Sequence, residues 1–264
     1  MIRVPGRPAM TAAAIALTFG SGAMDVASFT RLGSVFTSVM TGNMVLFGLA
    51  AARRSLTLAV HTLVAIAGYV TGVGVGSRIA AGGAGGAGGA GGPGGAGGAG
   101  GAGGPGGAGG AGGALPAHVS WALLTELGLL AALAAGWEAA GASPAGWWQF
   151  CLLAVAAAAM GVQSSAVRHM GLTEVSTTYL TGTLTGLVSS LVSRHGTADG
   201  PRRFGVLLGL VAGAGLSGLL VATAPAGVPA LPLAALVTTV VLTSGRGRRD
   251  APRAAQRPGA REIR

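Results

Sequence analysis

The feature that most constrains this chain is a series of eight apolar stretches, each close to the length that crosses a bilayer. A hydrocarbon core of about 30 Å takes about 20 residues of helix. Only 9% of the residues are charged, against about 25% in soluble domains, too few to cover a soluble surface. The sequence therefore predicts an all-α, polytopic helical membrane protein with six to eight spans. The stretches cover residues 10–29, 34–52, 56–76, 119–140, 147–167, 174–193, 204–223 and 228–244.

A run of Gly-Gly-X triplets, in which X is Ala or Pro, interrupts this series at residues 82–114. No side chain in the run can build a core, so we predict a flexible Gly/Ala-rich linker. It separates residues 1–81, the first half of the membrane bundle, from residues 115–244, the remainder. Residues 245–264 are rich in Arg and are expected to form a disordered cytoplasmic tail. The first apolar stretch is expected to stay uncleaved as a first span.

The positive charge indicates an orientation and no nucleic-acid partner. All 17 basic residues are Arg, and they concentrate in the tail and in two pairs, Arg53-Arg54 and Arg202-Arg203. Membrane proteins mark their cytoplasmic loops in this way. We therefore expect a multi-pass protein of the bacterial cytoplasmic (inner) membrane, with both termini cytoplasmic and the tail against anionic lipid. The arginine count fits six spans as well as eight. Because residues 34–52 are long and apolar, we favour eight, which places Arg54 on the cytoplasmic side.

An internal repeat relates residues 22–43 to residues 160–183. In this alignment Asp25 falls on Gln163, and Thr41-Gly42-Asn43 falls on Thr181-Gly182-Thr183. The chain is therefore interpreted as two repeat-related halves of four stretches each. Eight spans would make the halves parallel, whereas six would make them inverted, as in many transporters.

The same residues carry a resemblance to a known family. Gly22-Ala-Met-Asp25-Val-Ala-Ser28-Phe29, Leu32-Gly33, Met40-Thr41-Gly42-Asn43, Met160-Gly161-Val162-Gln163 and Leu180-Thr181-Gly182-Thr183 resemble the YoaK-like family, a domain-of-unknown-function family of bacterial multi-pass membrane proteins. The similarity covers roughly residues 10–243, apart from the linker. It implies an inner-membrane protein with about six or more helices and implies no particular activity. The Gly-Gly-X insert departs from the family pattern.

Polar residues inside the apolar stretches are the candidate functional residues, because such residues are costly in lipid. The repeat predicts that Asp25 and Gln163 approach a common axis. Helix-weakening glycines flanked by hydrogen-bonding side chains are typical of transporter sites. The predicted substrate-binding residues are Asp25, Thr41, Asn43, Gln163 and Thr181.

Three of the ionisable residues also have a structural interpretation. Asp25 is as well explained by an interfacial ion pair with Arg31. His61 is better explained as a hydrogen-bonded structural histidine. Glu126 is either a proton-carrying carboxylate or the partner of His118, and we favour the latter.

Motifs for an enzyme are missing from the sequence, which has no Gly-x-Ser-x-Gly, P-loop or His-Glu-x-x-His. Neither enzymatic activity, a metal site nor a cofactor is expected. The first hypothesis is a secondary permease for a small solute. The alternative is a non-transporting membrane module that contacts lipid or assembles a complex. Membrane lipids and a small solute are the expected partners, and the sequence is compatible with a homo-oligomer.

Overall fold

A computed structural model describes residues 7–84, 117–170, 177–192 and 200–244. These ranges contain eight α-helices and a single 3-10 turn at Pro225–Gly227, and no strand occurs within them. Each helix falls on one of the eight predicted stretches, which confirms the all-α prediction. The helices are α1 (Arg7–Arg31), α2 (Met40–Ala52), α3 (Leu56–Ala84), α4 (Ala117–Ala139), α5 (Trp147–His169), α6 (Thr177–Val192), α7 (Gly200–Thr223) and α8 (Ala230–Ser244).

The boundaries of the predicted linker and tail fall mostly outside the described residues. Helix α3 continues to Ala84, so the first three residues of the predicted linker are helical. Residues 85–116 and the tail at 245–264 lie outside the described residues.

Six segments of the described chain are long and apolar enough to cross a membrane. Helix α2 has 13 residues and α6 has 16. At 1.5 Å per residue they measure about 20 and 24 Å, less than the hydrocarbon core. The six segments are Ala9–Arg31, Leu56–Ile79, Val119–Ala139, Trp147–His169, Gly200–Thr223 and Pro225–Thr243.

Polar contacts around Arg31 show which helix ends lie together. The Arg31 guanidinium donates to Ser143 Oγ in the α4–α5 turn and to the Val221 carbonyl in the last turn of α7. The Gln149 amide at the start of α5 donates to the Arg31 carbonyl. These contacts define one end of the bundle, the Arg31 end, where α1, α4 and α7 finish and α5 begins. The opposite end, where α5 finishes, is called the Arg168 end.

Helix α3 packs on α5 and α7 packs on α1, and glycines let their backbones approach. Both pairs are parallel, because the contacts advance in the same direction on the two helices: Gly68 with Ala154 and then Gly72 with Ala158, and Gly209 with Ile15 and then Gly213 with Phe19. A Cβ on Gly72 of α3 would overlap the Ala158 carbonyl of α5, and a Cβ on Gly213 of α7 would overlap the Phe19 carbonyl of α1. Larger side chains at these glycines would hold the helices apart. Helices α1 and α5 are the two most buried of the six long segments and lie at the centre of the bundle.

The direction of α3 decides the number of spans. Because α3 runs parallel to α5, its first residues lie at the Arg31 end, where the His61 ring stacks on Phe150 with centroids 4.3 Å apart. Residues 32–55 therefore leave and rejoin the bundle at the same end. Arg53 and Arg54 lie on the side of Arg31, so the favoured eight-span arrangement, with Arg54 on the side of the N-terminus, is wrong. The six-span alternative agrees with the structure.

Candidate functional site

The segment that joins α1 to α2, residues 32–39, folds back beside the last two turns of α1. We call it the re-entrant loop. The chain reverses at Gly33 and Ser34, whose φ angles are +101° and +60°. Positive φ is uncommon for a non-glycine residue such as Ser34. The Ser28 hydroxyl of α1 donates to the Val35 carbonyl at 2.6 Å, which holds the returning chain against the helix.

Asp25 binds the far end of the re-entrant loop through both of its carboxylate oxygens. Oδ1 accepts from the Thr37 amide at 2.9 Å, the Thr37 hydroxyl at 3.1 Å and the Ser38 amide at 2.9 Å. Oδ2 accepts from the Ser38 hydroxyl. All three residues are buried. Irregular backbone survives at membrane depth only where protein or water satisfies its polar groups. Asp25 meets this requirement for the backbone amides of Thr37 and Ser38.

Asn43, in the first turn of α2, holds the middle of the loop. Its Oδ1 accepts from the Phe36 amide at 2.9 Å, and its Nδ2 donates to the Phe36 carbonyl at 2.6 Å. The side chain is fully buried. An amide group carries both an acceptor and a donor, so it matches both backbone groups of one residue, whereas an ionised carboxylate can only accept. Asn43 therefore fixes the loop relative to α2.

His61 of α3 closes the other side of the re-entrant loop. Its ring lies so close to Gly33 that a Cβ on Gly33 would overlap it. His61 Nδ1 lies 2.8 Å from the Thr57 carbonyl, and because a carbonyl can only accept, Nδ1 is the donor. Nε2 is buried and has no hydrogen-bond partner within the described ranges. The hydrogen-bonding capacity of the histidine is therefore only half satisfied, with Nε2 as the ring nitrogen that can still accept a hydrogen bond.

The structure brings together only part of the predicted site. Asp25 and Asn43 bind the same loop. Gln163 is buried in α5 and donates to Ser21 Oγ at 3.1 Å and to the Leu17 carbonyl at 3.4 Å. Ser21 lies one helical turn from Asp25, so Gln163 is close to Asp25 without a hydrogen bond to it.

The two predicted threonines are placed differently. Thr41 is exposed on α2 and does not line the interior. Thr181 lies within α6, but its side chain falls outside the described residues.

Two predicted pairings of carboxylates have different outcomes. Arg31 binds Ser143 and Val221 and not Asp25, so the alternative interpretation of Asp25, an interfacial ion pair with Arg31, is wrong. The Asp25 carboxylate lies two turns deeper than Arg31, where the loop reaches it. The side chain of His118, the favoured partner of Glu126, falls outside the described residues, so that pairing stays a prediction. Both Glu126 carboxylate oxygens are buried and have no hydrogen-bond partner among the residues that the structure describes.

Sequence reasoning missed the residues that complete this site, Ser28, Thr37 and Ser38. A signal existed, because a hydroxyl pair within an apolar stretch marks backbone that needs extra hydrogen bonds. No group of three or more His, Cys, Asp or Glu side chains that could hold a metal ion occurs among the described residues. Among the described side chains of the site, His61 Nε2 is the group that could accept a hydrogen bond from a polar ligand.

Comparisons with known proteins agree with the resemblance seen in the sequence. The family model described as "Protein of unknown function (DUF1275)" matches residues 13–243. The chain is 29% identical over 178 residues to the UPF0700 transmembrane protein YoaK of Bacillus subtilis (strain 168). That match covers 67% of this chain and 65% of the relative, slightly less than two thirds of its length. No solved structure matches the chain.

Proposed function

The chain belongs to the family of integral membrane proteins described as DUF1275, and from this premise we propose that it is a secondary permease for a small polar solute. We propose further that it acts in the bacterial cytoplasmic membrane and has no enzymatic activity. The site would lie at the re-entrant loop, with Asp25 and Asn43 as positioning residues and His61 as a binding residue.

The observation that carries the proposal is that the α3–α5 and α7–α1 pairs make the same kind of contact, between a glycine of one helix and a backbone carbonyl of the other. Gly72 of α3 packs on the Ala158 carbonyl of α5 as Gly213 of α7 packs on the Phe19 carbonyl of α1. In a second match, the glycine and the carbonyl exchange helices. Gly161 of α5 packs on the Tyr69 carbonyl of α3, as Gly22 of α1 packs on the Leu210 carbonyl of α7.

These matched contacts support two inverted repeats. They pair α1 with α5 and α3 with α7, and the members of each pair run in opposite directions. Each half then has a non-spanning helix, α2 at the Arg31 end and α6 at the Arg168 end. Inverted halves with interrupted segments are typical of secondary transporters, which bind solute between the halves near the midplane.

These matched contacts also shift the predicted alignment of the two halves by one residue near Asp25. If Gly161 corresponds to Gly22, then Ser164 corresponds to Asp25, and the alignment of Asp25 with Gln163 is displaced by one residue. The Ser164 hydroxyl accepts from Tyr69 at 2.8 Å. The second half would therefore bind its counterpart loop by other means, and the two ends of the protein would differ chemically.

The charge distribution supports an orientation for this permease. Arg31, Arg53 and Arg54 belong to the Arg31 end, while the other arginines belong to the Arg168 end or to chain segments joined to it. The positive-inside rule then makes the Arg168 end cytoplasmic. Both termini would be cytoplasmic, and the re-entrant loop would face the outside.

A transport screen tests the proposal. Purified protein in proteoliposomes would be offered a panel of small polar metabolites, and uptake above protein-free liposomes would be measured by mass spectrometry. His61→Phe keeps the ring on Phe150 and removes both nitrogens. The matched control is Thr71→Val, also on α3, because the Thr71 hydroxyl is exposed and donates to the Ala67 carbonyl of its own helix.

We expect at least one solute to enter, with uptake reduced at least tenfold by His61→Phe and unchanged by Thr71→Val. Uptake of no solute would contradict the permease proposal. Wild-type uptake by His61→Phe would contradict the placement of the site.

The second candidate function, a lipid-contacting module, is favoured by a groove between α1 and α8. The groove has a volume of about 410 Å³ and an almost wholly apolar lining, which includes Ile15, Phe19, Ala235 and Thr238. A lipid acyl chain fits this chemistry. Under this alternative, Ala235→Phe would reduce the phospholipid that copurifies with the protein, whereas Ala131→Phe on the exposed face of α4 would not.

A further inference from the structure

Helix α4 carries a carboxylate in the middle of its buried apolar face. The residues of this face recur at alternating spacings of three and four, which is the pattern of a helix packed along one side. Glu126 occupies one of these positions, about 13 Å of helix from the start of α4, and is 1% exposed. The other residues of the face are Val119, Leu123, Leu130, Leu133 and Trp137.

Neither carboxylate oxygen of Glu126 has a hydrogen-bond partner within the described ranges. Helices α3, α5 and α8 pack on α4, and α8 carries no titratable residue. Two titratable residues of α3 have partners on α5: the Tyr69 hydroxyl donates to Ser164, and the His61 ring stacks on Phe150. The titratable or charged residues on these helices and on α4 itself are His61, Tyr69, Arg78, Cys151, Arg168, His169, His118 and Glu138.

An unpaired carboxylate at this depth is costly. A charged side chain at the centre of a membrane helix costs about 2.5–3.5 kcal/mol on insertion scales and more on other estimates. A buried charge that lacks its ion-pair partner carries a similar penalty, and no described residue pairs with Glu126. Binding one proton to one carboxylate oxygen removes the charge without another ligand. Release of that proton then requires contact with water in a second arrangement of the helices.

Asp25 does not offer the same chemistry. Its two oxygens already accept from Thr37 and Ser38, so a proton there would displace a hydrogen bond that holds the re-entrant loop. The two buried carboxylates of the described bundle therefore have different tasks.

We propose that Glu126 is a reversible proton-binding site inside the membrane, and that the proton it carries drives movement of the solute. The second clause rests on the proposed permease function, and the first does not. One proton binds the carboxylate from one side of the membrane and leaves it as a hydrated proton on the other, so only one O–H bond forms and breaks. The coupling ion is then a proton, and the coupling residue is Glu126 and not Asp25.

The proton site is tested on the wild-type protein with a carbodiimide, which reacts with protonated carboxyl groups in apolar surroundings. The protein, in lipid nanodiscs, would be treated with dicyclohexylcarbodiimide over a range of pH, and the adducts located by mass spectrometry. Glu138 is an internal control, because it lies on the same helix and is exposed. At pH values where a carboxyl group in water is ionised, we expect Glu126 to be labelled at least tenfold more than Glu138.

Equal labelling of the two residues, or no adduct on Glu126 at any pH, would overturn the proton site whatever the protein transports. In a second experiment on any solute that the screen identifies, Glu126→Gln should abolish accumulation driven by a pH gradient and leave downhill exchange. Thr125→Val is the matched control, because the Thr125 hydroxyl donates to the Trp121 carbonyl of its own helix. Proton-driven accumulation by Glu126→Gln would overturn the coupling role.

Discussion

Removal of the Asp25 side chain should release the re-entrant loop, and the size of the effect follows from its hydrogen bonds. Asp25→Ala removes the carboxylate that accepts hydrogen bonds from the buried amides of Thr37 and Ser38. Each unsatisfied buried donor costs about 1–3 kcal/mol, so the free energy of unfolding should fall by roughly 2–6 kcal/mol. The hydroxyls of the same two residues add less, because they can rotate to other acceptors.

Asp25→Asn should behave differently, because its amide oxygen can replace Oδ1 and keep three of the four bonds. The Ser38 hydroxyl can turn to accept from the new amide group. Only the strengthening of these bonds by charge is lost, so we expect a decrease of about 1 kcal/mol.

Equilibrium unfolding in detergent micelles measures both variants through the midpoint and slope of the transition. Thr18→Ala is the control, because the buried Thr18 hydroxyl donates to the Ala14 carbonyl of its own helix and not to the loop. If Asp25→Asn proved as unstable as Asp25→Ala, the charge of Asp25 and not its acceptor geometry would hold the loop, and the reasoning would fail.

Three further predictions concern packing, the loop and the linker. Gly72→Ala and Gly213→Ala should each lower the free energy of unfolding by about 1–3 kcal/mol, because the new methyl group meets a backbone carbonyl. Gly74→Ala is the control, because Gly74 faces open space. Unequal losses for Gly72→Ala and Gly213→Ala would count against the repeat. Asn43→Leu should speed hydrogen exchange of the loop amides while leaving exchange in α5 unchanged, and unchanged loop exchange would refute its role. Deletion of residues 85–111 should leave membrane insertion intact, as judged by the amount of protein in the membrane fraction, since that composition can bury little apolar surface.

The positions of the helices could be predicted from the sequence because hydropathy and length are local properties. All eight apolar stretches contain a helix, and the ends at Ala52 and Thr223 agree with the predicted stretches within a residue or two. Their directions could not be predicted, because direction depends on contacts between residues distant in sequence, such as Gly72 with Ala158. The choice of eight spans failed for this reason.

The re-entrant loop was hidden for a different reason. Residues 34–39 are apolar enough to continue a helix, yet Asp25 and Asn43 take their backbone hydrogen bonds. The sequence identified both side chains as polar residues in lipid but not their partners, since side-chain competition for backbone groups leaves no periodic pattern. Helix α2 therefore begins at Met40, and the predicted span from residue 34 is too long.

The sidedness of Arg54 tests the re-entrant arrangement of α2 most directly. In a Cys151→Ser background, Arg54→Cys, Ala145→Cys and Arg168→Cys would each be exposed to a membrane-impermeant maleimide, first in intact cells and then after permeabilisation. Ala145 is exposed in the α4–α5 turn at the Arg31 end, and Arg168 is exposed at the other end. The re-entrant arrangement predicts that Arg54→Cys is labelled under the same condition as Ala145→Cys and not as Arg168→Cys. In the proposed orientation, the first two are labelled in intact cells and Arg168→Cys only after permeabilisation. Labelling of Arg54→Cys together with Arg168→Cys, and not with Ala145→Cys, would mean that α2 crosses the membrane and would contradict the inverted six-span account.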